Sequence, residues 1–508
     1  MSKKSPKKER QKERAICSWW LDTRDSKLYK DLETKFDRGS CIYNAALREA
    51  ELRRRSRQLH PDWDEAKKLS QELNSLLSKK TENLDKISLK KLQKECKFIK
   101  SQKDEKYKNI YKDCGYSSDD LVKWGQDKLK NSYISDYIQA HERNALIVRA
   151  FTTSERKGRK GNKGFAKVKY IGRKNPLTCI SGQSDASPLK LVVKNNEIFV
   201  QWNKNTQIKL INPNYDDVML NHILKNPGFV TFTRVVRVKI KGKWQYKAQF
   251  TFEGKSPKVR TLGKGFAAID FGVSKSTLAS YEEISVLKFF DKNMNDVYKK
   301  MRVIQRKIDR QRRANNPENF DEKGCAKKGK WIISNRQKRM EILLAEMHRK
   351  ITESRKCFHG KLINQIRAKY DILRIEKNRY YAWQRNFGKQ VGWFAPGMFY
   401  SELKRVFEET NGKIEEIDIW TSALTQTCPN CGNRTVGEEK KKLKDRIHDC
   451  QKCGFKHDRD SAAAIGALFY DTSKGELDVR KSKTYIKEIL PLLSDKFTGE
   501  VTLPCKRH

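Results

Sequence analysis

The chain has 508 residues, with 110 Lys and Arg against 62 Asp and Glu and a formal charge of +48. A chain of this length carries several domains with at least one sizeable core, and so large a positive excess calls for a polyanionic partner, phosphate backbones first. No apolar run approaches the roughly 20 residues that span a bilayer, no signal peptide is legible, and the twelve cysteines show no disulfide framework, which excludes a membrane-spanning or disulfide-stapled class and leads us to expect a reducing, intracellular compartment.

Residues 1–14, MSKKSPKKERQKER, form a basic tail without apolar periodicity, expected to be disordered. It reads as a solvated charge run, a nuclear address or a nucleic-acid arm. From 27 to 153, Leu, Ile and Tyr recur three or four residues apart, as at Leu69, Leu73 and Leu76 and again from Ile87 to Ile110. Lys dominates the remaining positions, so this stretch predicts a helical bundle with a wide basic face. Arg156-Lys-Gly-Arg-Lys-Gly-Asn-Lys-Gly164 breaks the pattern, and β structure is expected after it. Leu191–Trp202 reads as two strands around an Asn-Asn turn, and Phe229–Ile240 with Trp244–Phe252 as a longer hairpin turning at Gly242-Lys243. Strands at this spacing suggest a small barrel in a basic module of about a hundred residues. Trp19-Trp20 reads as a buried strand of that module rather than a base-stacking platform.

Acidic residues then appear at strand ends. Gly265-Phe-Ala-Ala-Ile-Asp270-Phe-Gly-Val273 reads as an apolar strand that ends in an aspartate and turns through glycine. Ile372-Leu-Arg-Ile-Glu376 is a second such strand, ending in a glutamate. Between them, 293–366 predicts two long basic helical segments around a Lys/Gly-rich break at 323–330. This alternation predicts an α/β layer whose central sheet gathers distant residues. Tyr380–Phe394 interleaves aromatic and basic side chains, which either stack bases of single-stranded DNA or pack as core.

Cys428-Pro-Asn-Cys431 and Cys450-Gln-Lys-Cys453 are separated by eighteen residues. Each Cys-x-x-Cys turn presents two sulfurs to one tetrahedral metal, so the pair reads as a zinc ribbon holding a structural Zn²⁺. Four sulfurs complete such a site, and His448 and His457 are not assigned to it. His457-Asp458-Arg459-Asp460 follows at once and opens the apolar run Ser461–Phe469, read as a helix. Taken alone, Asp460 would be its N-cap. Residues 471–508 carry no recognisable chemistry.

Hydrolysis of a phosphodiester requires charge to be neutralised on a pentacovalent phosphate and on the leaving oxygen. Carboxylates holding two Mg²⁺ or Mn²⁺ ions roughly 3.5–4 Å apart do this and also activate the attacking water. Asp270, Glu376 and Asp460 lie 106 and 84 residues apart, so the fold must bring them together.

The order IDFG (269–272), RIEK (374–377), paired CxxC knuckles and DRD (458–460) resembles the split RuvC-like nuclease of the TnpB group. That group takes in transposon-encoded TnpB, the eukaryotic Fanzor proteins and the related compact type V CRISPR (Cas12) effectors. Cys41-Ile-Tyr-Asn-Ala-Ala-Leu47 is similar to the family's early helix, and Thr421-Ser422 to its approach to the first CxxC. The likeness runs from about residue 15 to 470.

The resemblance implies a multidomain α+β fold with a helical recognition domain, a β-barrel wedge domain and a RuvC-like (RNase H fold) α/β nuclease domain carrying an inserted zinc ribbon. Along the chain these would be the basic tail 1–14, a first wedge strand at 15–26, the recognition domain at 27–153 and the rest of the wedge at 154–262. The nuclease domain would occupy 263–425 with its helical insertion at 293–366, the ribbon 426–456, the final nuclease motif 457–470 and a C-terminal tail 471–508. The implied activity is RNA-guided cleavage of double-stranded DNA beside a short flanking motif, with base pairing reading sequence and the protein reading shape and motif. Guide RNA and target DNA would be the partners, with no membrane, and the location nuclear in a eukaryote or cytoplasmic and nucleoid-associated in a prokaryote. Asp270, Glu376 and Asp460 would hold Mg²⁺ or Mn²⁺, and Cys428, Cys431, Cys450 and Cys453 zinc. Asp460 is preferred to Asp458, and Glu376 to the later Glu402. Two departures stand out: Ala462 replaces a frequent Asn, and Phe165–Tyr170 lacks the usual Pro-Arg-Phe-Lys pattern. An RNA-guided repressor without cleavage is the alternative reading, and a guide-free zinc-ribbon DNA binder a more distant one.

Overall fold

The computed structural model describes residues 14–494 except 80–85, 130–131, 135, 161–167, 173–174, 184–188, 196, 204, 212–216, 227, 229, 255–260, 274, 290–293 and 443–444. The expected disordered tail, apart from Arg14, and the last fourteen residues of the chain therefore lie outside the described residues. The chain divides into two units, Met1–Lys258 and Val259–His508.

In the first unit the recurring apolar residues form five helices, Ser26–Gln58, Trp63–Lys79, Lys86–Asp113, Ser118–Leu129 and Ala140–Lys160. Asp25 caps the first by accepting from the Lys27 N–H, and Leu32, Phe36, Tyr43, Ala46, Leu47 and Ala50 bury one face of it. The last helix runs on to Lys160, so the break expected at Arg156 comes later than the composition suggests. A single interior glycine costs only about 1 kcal/mol, too little to end a helix whose preceding turns are packed.

The β segments form two sheets. One is four-stranded and antiparallel, in the order Arg14–Trp20, Lys243–Glu253, Val230–Ile240, Cys179–Gln183; the other is three-stranded, Lys190–Lys194, Glu197–Gln201, Gln207–Lys209. The long hairpin turns through Lys241 at φ 48° and Gly242 at φ 84°, the paired positive φ that a two-residue type I′ turn requires. Among the described residues no closed barrel forms, which corrects the barrel expectation. The chain instead turns a corner after Trp20: Leu21 N–H donates to Tyr246 O in the first sheet, while Asp22 N–H donates to Lys209 O in the second. A strand that switches sheets in this way joins two layers face to face without closing them, and both layers feed one core that includes Trp202, Tyr246, Phe250 and Phe252. Trp19 and Trp20 are half-buried; Trp19 packs on Phe250, and Lys247 Nζ sits 4.0 Å from the Trp20 ring centre.

The second unit is built on a five-stranded sheet in the order Ile284–Lys288, Lys275–Ser280, Phe266–Phe271, Ile372–Glu376, Lys413–Ile417. The first three strands form an antiparallel meander, and the last three run parallel. Side chains alternate between two cores. Ala267, Ile269, Phe271, Leu373 and Ile375 face helices Asn335–Lys369 and Pro396–Glu409. Ala268 faces the opposite way, packed with Ala463, Ala464, Ile465 and Ala467 of helix Arg459–Leu468. The alanines of that helix let its backbone lie close to the sheet.

Gly263 sits where the chain enters this sheet, its N–H donating to Arg367 O at 2.9 Å. A Cβ there would lie 2.2 Å from the Lys369 carbonyl carbon, a backbone atom that cannot swing away. Gly263→Ala is therefore expected to cost about 1–3 kcal/mol and to lower Tm by several degrees. A melting curve matching wild type within a degree would contradict this packing. Among the described residues no helix is long and apolar enough to cross a membrane.

Candidate active site and four-cysteine cluster

The parallel pairing of Phe266–Phe271 with Ile372–Glu376 sets Ile269 opposite Ile375. One step further along the same register, Asp270 stands beside Glu376, on adjacent strands about 4.8 Å apart. Both are two residues beyond side chains that face helix Arg459–Leu468, Ala268 by packing and Arg374 by donating to Leu468 O at 2.9 Å. The two carboxylates therefore leave the sheet on the side of that helix.

The helix begins with Asp458, whose Oδ1 accepts from Ser461 N–H at 3.0 Å and from the Ser461 hydroxyl at 3.1 Å. Asp458 is thus the N-cap, the role that Asp460 would take if judged alone. Asp460 lies in the first turn, where Arg459 Nη2 donates to its Oδ1 at 3.0 Å and Lys275 Nζ stands 3.8 Å from its Oδ2. The preferred triad converges: burial pushes the Asp270 carboxyl well above the ordinary range, with the charges of Glu376 and Asp460 adding to the rise and Arg459 opposing it. Burial likewise pushes Glu376 up to about 7, against the Ser422 hydroxyl and the Leu424 N–H, which favour its ionised form. Glu402 is elsewhere in role, its exposed carboxylate engaged by Arg405 one turn along helix Pro396–Glu409. Ala462 is 1 % exposed, so an Asn at that position would have to find buried partners for its amide.

Three carboxylates held together with little water repel one another, and hard divalent cations are the natural complement to such an oxygen set. The donor chemistry at Asp270, Glu376 and Asp460 fits Mg²⁺ or Mn²⁺.

Ser422, noted in the sequence only as half of a Thr-Ser pair, donates its hydroxyl to Glu376 Oε1 at 3.4 Å. It closes a short helix, Ile419–Ser422, capped by Asp418. Lys275 and Arg459 also escaped the sequence reading. The signal for Lys275 was Gly272: a Cβ there would meet the Lys275 carbonyl oxygen at 2.3 Å, so only glycine permits the tight turn that brings Lys275 back beside the site. Ser422→Ala removes a bond that favours ionised Glu376. The Glu376 pKa is therefore expected to rise further in the variant, by up to about one unit, as read by a pH titration of that carboxyl. An unchanged titration would contradict this role.

The four cysteines form a cluster whose sulfurs all lie within 4.8 Å of one another. Cys428 and Cys453 sulfurs are 3.7 Å apart, and those of Cys431 and Cys450 3.6 Å. Four sulfurs about 2.3 Å from one tetrahedral zinc would sit about 3.8 Å apart, so the donor set fits zinc. Each knuckle closes on a glycine at φ 71°, Gly432 and Gly454, whose N–H donates to the first cysteine's carbonyl at 2.8 Å. His448 is buried against Lys441, 2.6 Å from its Nδ1, and His457 stacks on Phe455; neither joins the cluster. The antiparallel pair Ile447–Asp449 and Lys456–Asp458 runs directly into the helix of Asp460. Arg459 fastens that junction, its N–H donating to Arg446 O and its Nη1 to Asp445 O, both at 2.9 Å.

The aromatic stretch divides by residue. Tyr380, Trp383 and Phe394 pack against the core under Phe271, whereas Trp393 stacks on Tyr298 at 4.2 Å and Tyr381 is 79 % exposed.

Residues 397–466 match the Cas12f1-like TNB domain family. The matched segment contains Ser422, the four cysteines and Asp460. Among solved structures the chain is similar to a Cas12f1–sgRNA–target DNA complex at 13% identity, covering 90% of this chain and 99% of that one with a TM-score of 0.44. It is also similar to a CRISPR–Cas12f ternary complex at 14% identity, covering 88% and 85% with a TM-score of 0.29. No curated protein matches the sequence.

Proposed function

We infer that this chain, with its Cas12f1-like TNB domain, is an RNA-guided, metal-dependent DNA endonuclease of the TnpB–Fanzor–Cas12 kind. The observation that carries the reading is the convergence of Asp270, Glu376 and Asp460 from two adjacent parallel strands and a helix N-terminus. That Asp270 and Glu376 are held in an environment that disfavours their charge speaks for a site organised around cations rather than for a stabilising ion network.

In this reading 27–153 is the recognition domain, 15–26 with 154–262 the wedge, 263–425 with 457–470 the nuclease and 426–456 the zinc-bearing insertion. Asp270, Glu376 and Asp460 would hold Mg²⁺ or Mn²⁺, which would supply charge neutralisation at the phosphate and acidification of a bound water. Ser422 and Arg459 position the second and third carboxylates. Lys275, with its side chain 42 % exposed beside Asp460, offers a cation to the incoming phosphate. Cys428, Cys431, Cys450 and Cys453 would hold a structural zinc, and the strand Lys456–Asp458 that follows them leads into the helix of Asp460.

The partners are a guide RNA and duplex DNA, and the charge of +48 suits a chain that holds both. The test is to purify the protein from cells carrying its native locus, sequence the RNA that accompanies it, and use that RNA to programme cleavage of a plasmid library with randomised flanks. A discrete RNA with programmed, Mg²⁺-dependent cuts is expected. A discrete RNA with binding but no cuts would turn the reading towards a repressor, and the absence of any specific RNA would overturn it.

A further inference from the structure

We propose that residues 315–334, between the two long helices inserted in the nuclease unit, form a preorganised phosphate-binding finger for a nucleic-acid backbone. The proposal rests on the nucleic-acid reading above and adds a specific contact element to it. Its starting point is that the Lys/Gly-rich break, which composition alone would leave as a solvated loop, is held in a definite shape. The connection carries only a 3-10 turn at Pro317–Asn319 and a single bridge between Phe320 and Ala326, and connections of this length with so little structure of their own are uncommon unless functional.

The shape comes from two buried asparagines. Asn316 is fully buried; its Oδ1 accepts from Ile332 N–H at 2.6 Å, while its Nδ2 donates to the carbonyls of Ile332 and Arg312, both at 3.0 Å. Its amide thus pairs with Ile332 as a neighbouring strand would. Asn319 Nδ2 donates to Lys330 O at 2.9 Å, and its own carbonyl accepts from Lys327 N–H at 2.8 Å. Gly329 is required beside it, since a Cβ there would fall 2.1 Å from Asn319 Oδ1. At the base, Trp331 packs edge-on to Phe320 and lies under the Arg312 guanidinium at 3.9 Å.

This scaffold presents Lys323, Lys327, Lys328 and Lys330, all exposed. Among the described residues none of the four pairs with a carboxylate. From Arg306 to Arg339 the sequence has twelve Lys and Arg against four Asp and Glu. Fixing unpaired like charges in a folded loop works against its stability through self-repulsion, and local conflicts of that kind mark functional positions. A phosphodiester backbone removes the repulsion and releases its own counterions in doing so. Holding the lysines on a rigid loop reduces the ordering that binding would otherwise demand.

The test uses the full-length protein and three labelled probes of equal length: duplex DNA, duplex RNA and an RNA–DNA hybrid. Dissociation constants are measured across a salt series. Changing the four lysines together to glutamine is expected to weaken at least one probe tenfold or more at 0.15 M salt, and to flatten its log–log salt slope by about two to three units. The probe most affected identifies the backbone that the finger holds. Asn316→Ala keeps every charge but frees the loop, and is expected to lose about three- to tenfold with the slope nearly unchanged. Matching melting curves for the lysine variant and wild type would establish that the variant is folded. If wild type binds with a steep slope and the lysine variant binds within twofold with the same slope, the finger is wrong and the nucleic-acid reading stands. If wild type binds none of the probes, both fall.

Discussion

Asp270→Asn is expected to lower RNA-programmed cleavage on the order of 10³-fold while leaving guide and target binding within about twofold. The substitution keeps the shape of the side chain and removes an anionic oxygen that no neighbour can replace, since Glu376 and Asp460 approach from a different strand and a helix. The same change has a second expected effect, on stability, with opposite sign. Burial and neighbouring carboxylates raise the Asp270 pKa, and burial carries Glu376 to about 7. Over the interval from the ordinary carboxylate pKa up to those raised values, the folded protein binds more protons than the unfolded chain, so stability falls as pH rises. Without divalent ions, wild type should therefore melt at a higher temperature near pH 5.5 than near pH 8 as far as this cluster contributes. Mg²⁺ should restore stability at pH 8 by neutralising the same charges. Asp270→Asn should melt above wild type at pH 8 without divalent ions and respond less to Mg²⁺. A variant that melts lower and still cleaves would contradict both halves.

On the proposed function, Cys450→Ser is expected to abolish zinc retention and to lower cleavage by about two to three orders of magnitude, although Asp270, Glu376 and Asp460 lie outside the four-cysteine cluster. The route is mechanical. Without the metal, the knuckles at Cys428–Cys431 and Cys450–Cys453 lose the bond that fixes them, and the three-residue strands Ile447–Asp449 and Lys456–Asp458 that join them to the helix are left with their short ladder, the buried His448 and the Arg459 bonds. Arg459 then loses the carbonyls of Asp445 and Arg446, and Asp460 next to it loses its register. Limited proteolysis within 434–446 should accelerate in step with zinc loss, and chelation followed by excess Mg²⁺ should reproduce the defect in wild type. Full activity at a metal content near zero by mass spectrometry would show that the cluster does not organise the site.

Much of this site was legible because its strands are marked at their ends. Ile372–Glu376 and the turn after Asp270 stand out as apolar runs broken by a carboxylate, and Cys-x-x-Cys spacing identifies the cluster without any fold. The Asn-Asn turn was readable, with positive φ at Asn195, whereas the long hairpin turns at Lys241-Gly242, one residue before the Gly242-Lys243 pair expected, and Lys243 already belongs to the strand. The cap was a local choice between two aspartates, and Asp458 takes it by accepting from Ser461 three residues on. The rest of what escaped depends on contacts between distant residues. Ser422 meets Glu376 from 46 residues further along the chain, and Lys275 reaches Asp460 through the Gly272 turn. The expected barrel failed for the same reason: strand spacing reports local pairing, whereas closure depends on whether the outer strands meet, and here the chain crosses between sheets at Leu21.

The most direct test of the central claim, that Asp270, Glu376 and Asp460 make one divalent-cation centre, is anomalous diffraction from crystals of the purified protein soaked in Mn²⁺. The expected result is manganese density bounded by those three carboxylates, absent in Asp270→Asn, with zinc density confined to Cys428, Cys431, Cys450 and Cys453. Manganese bound elsewhere, with the three carboxylates bare, would contradict the account.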